Sequence, residues 1–209
     1  HVSVPGQISD LSFDLHYGEI LGIGGLSECG MHEVGKAIFG ASYDRTGDVV
    51  LANGVHVNDI NTAINNSIAY TSKDRDNESL LIQDTIEDNI TIPSMRDMGT
   101  FLSDKKLREF AELYATQMQT KMVNVKQYVS ALSGGNKQKV VLARWLGKKS
   151  DILILDSPTR GIDIKVKAAI YNLLEDMRAE GKAIMIISEE IMELIGMCDR
   201  IIIMKDGKI

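Results

Sequence analysis

The sequence predicts an α/β protein with a mixed, mainly parallel sheet, an inserted helical subdomain and an antiparallel β edge. Two apolar runs, at residues 151–157 and 183–188, are typical of buried parallel strands, and a helical pattern follows each. A strand, a glycine turn and a helix succeed one another at residues 20–39, whereas the stretch 76–145 is mostly helical. Strands and helices that alternate on both sides of a helical insertion give this architecture.

The first elements come from the stretch ISDLSFDLHYGEILGIGG, which predicts two short strands joined by a turn at Tyr17-Gly18. The second strand ends in Gly24-Gly25. Apolar residues at helical spacing then predict a helix from Met31, and Gly40 is where a helix stop belongs.

The middle of the chain begins with a predicted hairpin around Asn53-Gly54 and a strand at residues 68–71. Ser103 is a plausible N-cap for a helix over the stretch DKKLREFAELYATQMQTKM. The last third predicts, in order, a strand, a helix with Gly181 at its C-cap, a second strand, a short helix and a final strand pair. We therefore predict an α/β core formed by residues 1–75 and 146–209, and a helical subdomain formed by residues 76–145.

Composition excludes several classes of protein. Apolar residues make up 44% of the 209 residues and charged ones 25%, which is the balance of a globular domain. The net charge of −6 argues against a nucleic-acid partner. Cys29 and Cys198 are isolated, which favours a reducing cytosol. No apolar run reaches the ~20 residues that span a bilayer, no signal peptide is recognisable, and the four histidines have no metal-ligand spacing.

The stretch GLSECGMH lies where a phosphate-binding loop belongs, between a strand and a helix. Gly25 and Gly30 keep the spacing of the P-loop motif G-x-x-x-x-G-K-[ST], but Met31 and His32 replace its last two residues. The motif's lysine reaches the β- and γ-phosphates and its Ser/Thr holds Mg²⁺, for which histidine is a poor ligand. Glu28 adds a carboxylate that repels a phosphate at ~4 Å by about 1 kcal/mol in water.

The stretch LSGGNKQKVVLARWL places Ser133, Gly134 and Gly135 at a helix N-terminus, where backbone N–H groups can receive a phosphate. Taken alone, this is equally an ordinary serine N-cap with a flexible glycine pair. A second motif follows it, however. DILILDSPTRGIDI is an apolar strand that ends in Asp156, followed by a proline turn and Asp163.

Together these motifs resemble those of ATP-binding-cassette (ABC) ATPases, a family with the P-loop NTPase fold. LSGGN resembles the family's signature motif, LILD its Walker B strand with Asp156, and GID its D-loop with Asp163. The resemblance covers nearly the whole chain, from LSFDLHYGEILGI to DRIIIMKDGKI. KDR, LSGGNKQKVVLARWL and SPTRGID further resemble the C-terminal cassette of bacterial sugar-importer ATPases of the ribose and galactose type.

The resemblance also exposes departures at positions that act on nucleotide. Ser157 stands where the family has a catalytic glutamate, and a serine cannot serve as that base at neutral pH. Glu189 stands at the switch histidine, and Lys73 near the glutamine that senses Mg²⁺ and nucleotide. No aromatic residue precedes the first strand to stack on adenine. The resemblance therefore implies a degenerate P-loop site without catalytic residues of its own.

The intact signature implies a different use of this cassette. In the family, two cassettes meet head to tail, and each ATP lies between one P-loop and the other signature. Ser133, Gly134, Gly135 and Asn136 are thus expected to bind ATP, with its Mg²⁺, in the P-loop of a partner cassette. The implied partners are the N-terminal half of the same polypeptide and membrane permease subunits. The permease would dock on the segment between Lys73 and Met95, on the cytoplasmic side of the cell membrane.

Two other functions remain open at this point. The chain could be a regulatory module that senses nucleotide without driving transport, or an ABC ATPase outside transport, as in DNA repair or translation. The acidic charge counts against the last, and the intact signature favours an importer domain over a pure scaffold.

Overall fold

The computed structural model describes residues 1–99 and 101–209, in which eight strands are found. The strands are β1 (Val2–Val4), β2 (Ile8–Leu11), β3 (Ile20–Gly25), β4 (Thr46–Gly47), β5 (Ile68–Thr71), β6 (Ile152–Asp156), β7 (Ala183–Ser188) and β8 (Arg200–Met204). The α-helices are α1 (Met31–Phe39), α2 (Ile60–Asn65), α3 (Ile86–Thr91), α4 (Asp104–Gln117), α5 (Gly134–Gly147), α6 (Ile164–Ala179) and α7 (Ile191–Met197). A π-helical turn spans Arg75–Ser79, and 3₁₀ turns span Ile92–Met98 and Val129–Ala131.

The strands form two separate sheets. Five of them lie in the order β5-β6-β7-β3-β8, and every neighbouring pair is parallel. The other three form an antiparallel sheet in the order β2-β1-β4. A mainly parallel core with an antiparallel edge is therefore confirmed. Because parallel strands share a direction, the ends of β3, β5, β6 and β7 meet at one edge of the sheet, where α/β proteins bind their ligands.

Apolar side chains fill the parallel sheet. Ile20, Leu21 and Ile23 of β3 are fully buried, and all six residues of β7 are buried. Each buried side chain of this size contributes about 1.5–3 kcal/mol when it leaves water. Strands covered on both faces have no polar positions to alternate with, so their sequences are continuous apolar runs.

By their internal contacts, the described residues form two compact units. The first comprises His1–Lys73, Asp151–Pro158 and Ala168–Ile209, and the second comprises Asp74–Ser150 and Thr159–Lys167. The division inferred from the sequence, residues 76–145 against the rest, remains a prediction. It differs from the observed units chiefly because it places residues 159–167 with the core.

The second unit is helical, and side chains cap the starts of α3 and α4. Ser103 accepts a hydrogen bond from the backbone N–H of Lys106, which confirms it as the N-cap of α4. Arg144 of α5 donates to the backbone oxygen and the Oδ1 of Asn89, at 2.6 and 2.8 Å. These bonds tie α3 to α5 within this unit.

Two predicted hairpins are shorter than expected. Around Asn53-Gly54 the chain turns back, but only one bridge, between Val50 and His56, is formed. The closing stretch is one strand, β8, followed by a tight turn with a bridge between Lys205 and Lys208. In both places the turn signal is right, but the flanking residues do not continue into paired strands.

Candidate functional site

The loop between β3 and α1 keeps the backbone of a P-loop. Gly25 ends β3, and Gly30 precedes α1 with φ of 90°, a left-handed conformation that favours glycine. A Cβ on Gly30 would lie 2.2 Å from the backbone oxygen of Gln7, so no larger residue fits there. The two glycines that keep the motif's spacing are therefore also required by the backbone.

The side chains of this loop are unlike those of a phosphate site. Met31, at the position of the motif's lysine, is fully buried in the core of the first unit. Glu28 is exposed, with φ of 69°, so a non-glycine residue occupies the left-handed region. Such a residue stores strain on the order of 1 kcal/mol, and residues of this kind cluster at functional sites.

Four charged or titratable side chains form one network at the carboxyl edge of the parallel sheet. The Nδ1 of His32 lies 2.8 Å from Oδ1 of Asp156, the last residue of β6. Its Nε2 lies 3.2 Å from Oε1 of Glu189, which follows β7, and 3.1 Å from Nζ of Lys73, which follows β5. Lys73 Nζ in turn lies 2.8 Å from Oε1 of Glu189. Side chains from the ends of β5, β6 and β7 therefore meet a side chain from the first turn of α1.

The electrostatics of this network favour its charged forms. Burial opposes protonation of His32, but the hydrogen bond and charge of Asp156, with a further bond to Glu189, outweigh it and raise the pKa of His32. The hydrogen bonds from Lys73 and then His32 lower the pKa of Glu189 to about 2.

The protonation of His32 decides which partner its Nε2 takes. In the neutral ring with the proton on Nδ1, Nε2 accepts from Lys73. In the imidazolium, Nε2 donates to Glu189 instead. Nδ1 donates to Asp156 in both forms. The network therefore stays hydrogen-bonded through the titration.

Ser157, predicted to stand in place of the family's catalytic glutamate, lies beside this network. Its hydroxyl donates to Oδ1 of Asp156 at 3.1 Å, and its φ of 51° is also left-handed. A hydroxyl bonded in this way does not activate water at neutral pH.

The residues at this site do not fit Mg²⁺. A hard cation needs several oxygen ligands, but the acceptors here are Asp156 and Glu189, and both are already bonded to nitrogen donors. In residues 1–99 and 101–209, no group of three or more His, Cys, Asp or Glu side chains is arranged to hold a metal ion.

The predicted signature residues begin α5 in the second unit. Ser133 is the N-cap position and is exposed, and its side chain makes no capping bond to the first turn. Instead, its Oγ accepts from Nδ2 of Asn136 at 3.0 Å, and Oδ1 of Asn136 accepts from the backbone of Lys121. The first-turn N–H groups thus have no side-chain cap, as an anion site at the end of a 14-residue helix requires.

The predicted D-loop residue lies in the same unit. Asp163 is exposed, and its Oδ1 accepts from the backbone N–H groups of Lys165 and Val166 at the start of α6. Ile162 lies close to Gly135, because a Cβ on that glycine would be 3.7 Å from its side chain. The structure therefore brings the D-loop against the signature.

A cavity of about 590 Å³ lies elsewhere in the first unit. It is lined by the starts of strands, such as Ile68, Ile152 and Ala183, and by residues 11–17. Since the charged network lies at the ends of the strands, the cavity is not part of this site.

Both cysteines are free thiols. Cys29 of the P-loop segment is 6% exposed. Burial first, and then the charges of Glu193 and Asp199, raise the pKa of the Cys198 thiol to about 12.

Comparison with known proteins decides the family. The family model described as ABC transporter matches residues 8–160. The chain belongs to the ABC transporter family.

As a cassette, it is similar to a ribose import ATP-binding protein of Clostridium perfringens, with 41% identity over 214 residues, 100% of this chain and 42% of that protein. An L-arabinose transport ATP-binding protein of Geobacillus stearothermophilus is 40% identical over 208 residues, 97% of this chain and 40% of its own length. The chain thus spans less than half of these relatives.

Solved structures confirm the ABC cassette fold. A dimeric ATP-binding cassette bound to ADP and Pi superposes with a TM-score of 0.85, at 22% identity over 97% of this chain and 88% of that chain. A nucleotide-free ATP-binding cassette from an ABC transporter gives a TM-score of 0.77, at 19% identity over 97% of this chain and 83% of that chain. In the described part of the chain, no helix is long and apolar enough to cross a membrane.

Sequence reasoning missed two side chains. It counted Lys73 and Arg75 in the KDR stretch and placed Lys73 near the lost glutamine, but it gave neither side chain a contact. Each of them contacts a predicted site residue. The charges of the sequence could have pointed to Lys73. The P-loop motif has a lysine where this chain has Met31, and Lys73 is a lysine where the family has an uncharged glutamine nearby. The spacing of the histidines likewise gave no sign that His32 lies inside the network.

Proposed function

We propose that this chain is the nucleotide-binding domain of the energy-coupling ATPase subunit of a sugar ABC importer. Its own P-loop site does not hydrolyse ATP, and its signature completes the ATP site of a partner cassette. Relatives whose names specify ribose import and L-arabinose transport support the substrate class, since they are about 40% identical to this chain.

One observation supports the proposal that the P-loop site is inactive. The side chains of His32, Lys73, Asp156 and Glu189 satisfy one another at the edge where a P-loop ATPase binds Mg²⁺ and phosphate. A nucleotide would have to break these bonds, and Met31 offers no cation in return. The free energy of nucleotide binding should therefore be less favourable than in an intact site.

The signature supports the second half of the proposal. ATP supplies the γ-phosphate, whose oxygens the N–H groups of Gly134 and Gly135 can bind. The N-terminus of α5 is uncapped and carries the positive end of the helix dipole. Losing one such donor typically costs ~10²–10³ in rate, by analogy with oxyanion-hole deletions.

The partners follow from the same proposal. Relatives more than twice as long as this chain leave room for a second cassette in the same polypeptide. The resemblance of KDR, LSGGNKQKVVLARWL and SPTRGID to C-terminal cassettes is the reason to propose this one as the C-terminal half. Permease subunits would hold the assembly at the cytoplasmic face of the membrane. Their docking surface would be the segment between Lys73 and Met95, in which Leu81 and Ile92 are 45% and 44% exposed.

The decisive experiment measures ATP turnover of the complete two-cassette subunit with its permease. Ser133→Arg should abolish most turnover, because the bulky cation blocks the helix N-terminus. Met31→Lys, checked for folding because residue 31 is buried, should change turnover little. Thr116→Arg, on the exposed face of α4, is the matched control and should behave as the parent protein.

The opposite pattern would overturn the assignment. If Ser133→Arg left turnover untouched while Met31→Lys changed it strongly, the active site would be this chain's own. The genomic neighbourhood separates the importer from a nucleotide-sensing module or an ATPase outside transport, because an importer needs an adjacent permease and a sugar-binding protein.

A further inference from the structure

Arg75 lies against the signature within the second unit. Its Nη1 donates to the backbone oxygen of Arg160 at 2.9 Å. Its Nη2 faces Gly134, since a Cβ added to that glycine would lie 2.9 Å from it. The side chain is 21% exposed, so it is largely held in place. One guanidinium thus contacts both the signature and the turn that leads to the D-loop.

A second contact fastens the same segment to α5. Oδ2 of Asp76 accepts from Nζ of Lys137 at 2.7 Å, and the Lys137 side chain is only 14% exposed. The π-helical turn Arg75–Ser79 is therefore attached to the first turn of α5 at two points.

The local environment does not explain a cation at this place. The N-terminus of an α-helix is positive, so a guanidinium beside it is unfavourable unless an anion is near. The Nε of Arg75 lies 3.7 Å from Oδ1 of Asp76, whose other oxygen is already bonded to Lys137. The missing Cβ of Gly134 is what admits the guanidinium.

We propose that Arg75 is a positioning residue of the signature site: it holds Gly134 and the turn at Arg160 in the arrangement that receives the partner's nucleotide. This inference rests on the proposed function. Arginine suits the role because its planar fork can address two groups at once, whereas the ammonium of lysine is a point charge. The phosphate that arrives offsets the positive charges gathered at this helix end.

The test uses the complete two-cassette subunit with its permease and measures kcat and KM for ATP. Arg75→Ala should lower kcat about 10- to 100-fold, because small misplacements of a catalytic loop have effects of this size. KM should change little, since most contacts to the nucleotide come from the partner's P-loop. Arg75→Lys should recover only part of kcat.

A double-mutant cycle identifies the contact itself. Gly134→Ala pushes a Cβ against the guanidinium and should also lower kcat. Adding it to Arg75→Ala should cost little more, because residues in contact are not additive. Arg108→Ala, an exposed arginine on α4, is the matched control and should leave kcat unchanged.

Hydrogen exchange gives a readout that does not depend on turnover. In Arg75→Ala, amides at residues 133–137 and 159–163 should exchange faster, while those of α4 should not change. Parental kcat or parental exchange in Arg75→Ala, with Ser133→Arg inactive, would overturn this inference and leave the proposed function standing. Parental turnover in Ser133→Arg would overturn both.

Discussion

The amine of Lys73 lies 2.8 Å from the Glu189 carboxylate, between the ends of two strands that a P-loop ATPase uses for nucleotide. The resemblance to ABC ATPases puts residue 73 near the family's glutamine and residue 189 at its switch histidine. Both substitutions therefore meet in one ion pair, and His32 joins them to Asp156. These side chains are therefore bonded to one another without a nucleotide.

The isolated chain should not hydrolyse ATP. Met31, Ser157 and Glu189 stand in place of the phosphate lysine, the base and the switch residue. A phosphate-release assay on the purified chain should give the rate of a buffer blank. Turnover that survived repurification and disappeared on substitution of Gly134 would refute this expectation.

Nucleotide should bind weakly at the degenerate loop, with little dependence on Mg²⁺. The combined change Glu28→Gly, Met31→Lys and His32→Ser should raise affinity at least about tenfold, which is about 1.4 kcal/mol. It removes a like charge and a strained backbone, restores the lysine and frees Asp156. Calorimetry with ATP, with and without Mg²⁺, measures this.

The same variant should still not hydrolyse ATP, because Ser157 and Glu189 are unchanged. Asp44→Asn, an exposed change outside the site, is the control and should bind as the parent chain. Micromolar, Mg²⁺-dependent binding by the unchanged chain would show that the backbone amides suffice without the lost side chains.

The network should stabilise the fold in a limited pH window. Because the folded state raises the pKa of His32, its contribution is complete below its ordinary value of 6.5 and is lost as the pH rises through the raised value. Because the pKa of Glu189 is lowered to about 2 from 4.5, its contribution is present above 4.5 and is lost as the pH falls towards 2.

Urea midpoints of the parent chain and His32→Gln, measured from pH 4 to 9, test this window. The difference between them should be largest between about pH 4.5 and 6.5 and should shrink at alkaline pH. His56→Gln, in an exposed pair with Asp48, is the matched control and should give a small difference throughout. A His32→Gln difference that grew with rising pH would contradict the assigned sign.

Crosslinking should place the permease on the segment between Lys73 and Met95. Photo-crosslinkers at Leu81 and Ile92, both partly exposed apolar residues, should capture a permease helix in the assembled transporter. A crosslinker at Leu113, 52% exposed on α4, should not. Capture at Leu113 alone would mean that the docking surface lies elsewhere.

Local patterns allowed much of this structure to be predicted. The strand, glycine turn and helix at residues 20–39, and the N-cap at Ser103, depend on residues a few positions apart. The buried strands β6 and β7 are short, continuous apolar runs, so the composition of each segment was enough to predict a buried strand.

The network could not be predicted in the same way. His32 meets Lys73 across 41 residues and Glu189 across 157, and only the strand order brings them together. The position of Arg75 depends likewise on a carbonyl 85 residues away. The lengths of the two hairpins were predicted wrongly for a related reason. A turn signal does not determine how many residues pair in the strands on either side of it.

The state of the two thiols makes this chain convenient for site-specific labelling. The thiolate is the form that reacts with maleimides, and a pKa of about 12 leaves only about one Cys198 in 10⁴ ionised at pH 8. Cys29 is shielded from reagents by the packing around the P-loop. A cysteine introduced at an exposed position should therefore take a fluorophore or spin label selectively, without replacing the native cysteines. Distances within this cassette could then be followed in a chain that is otherwise unaltered.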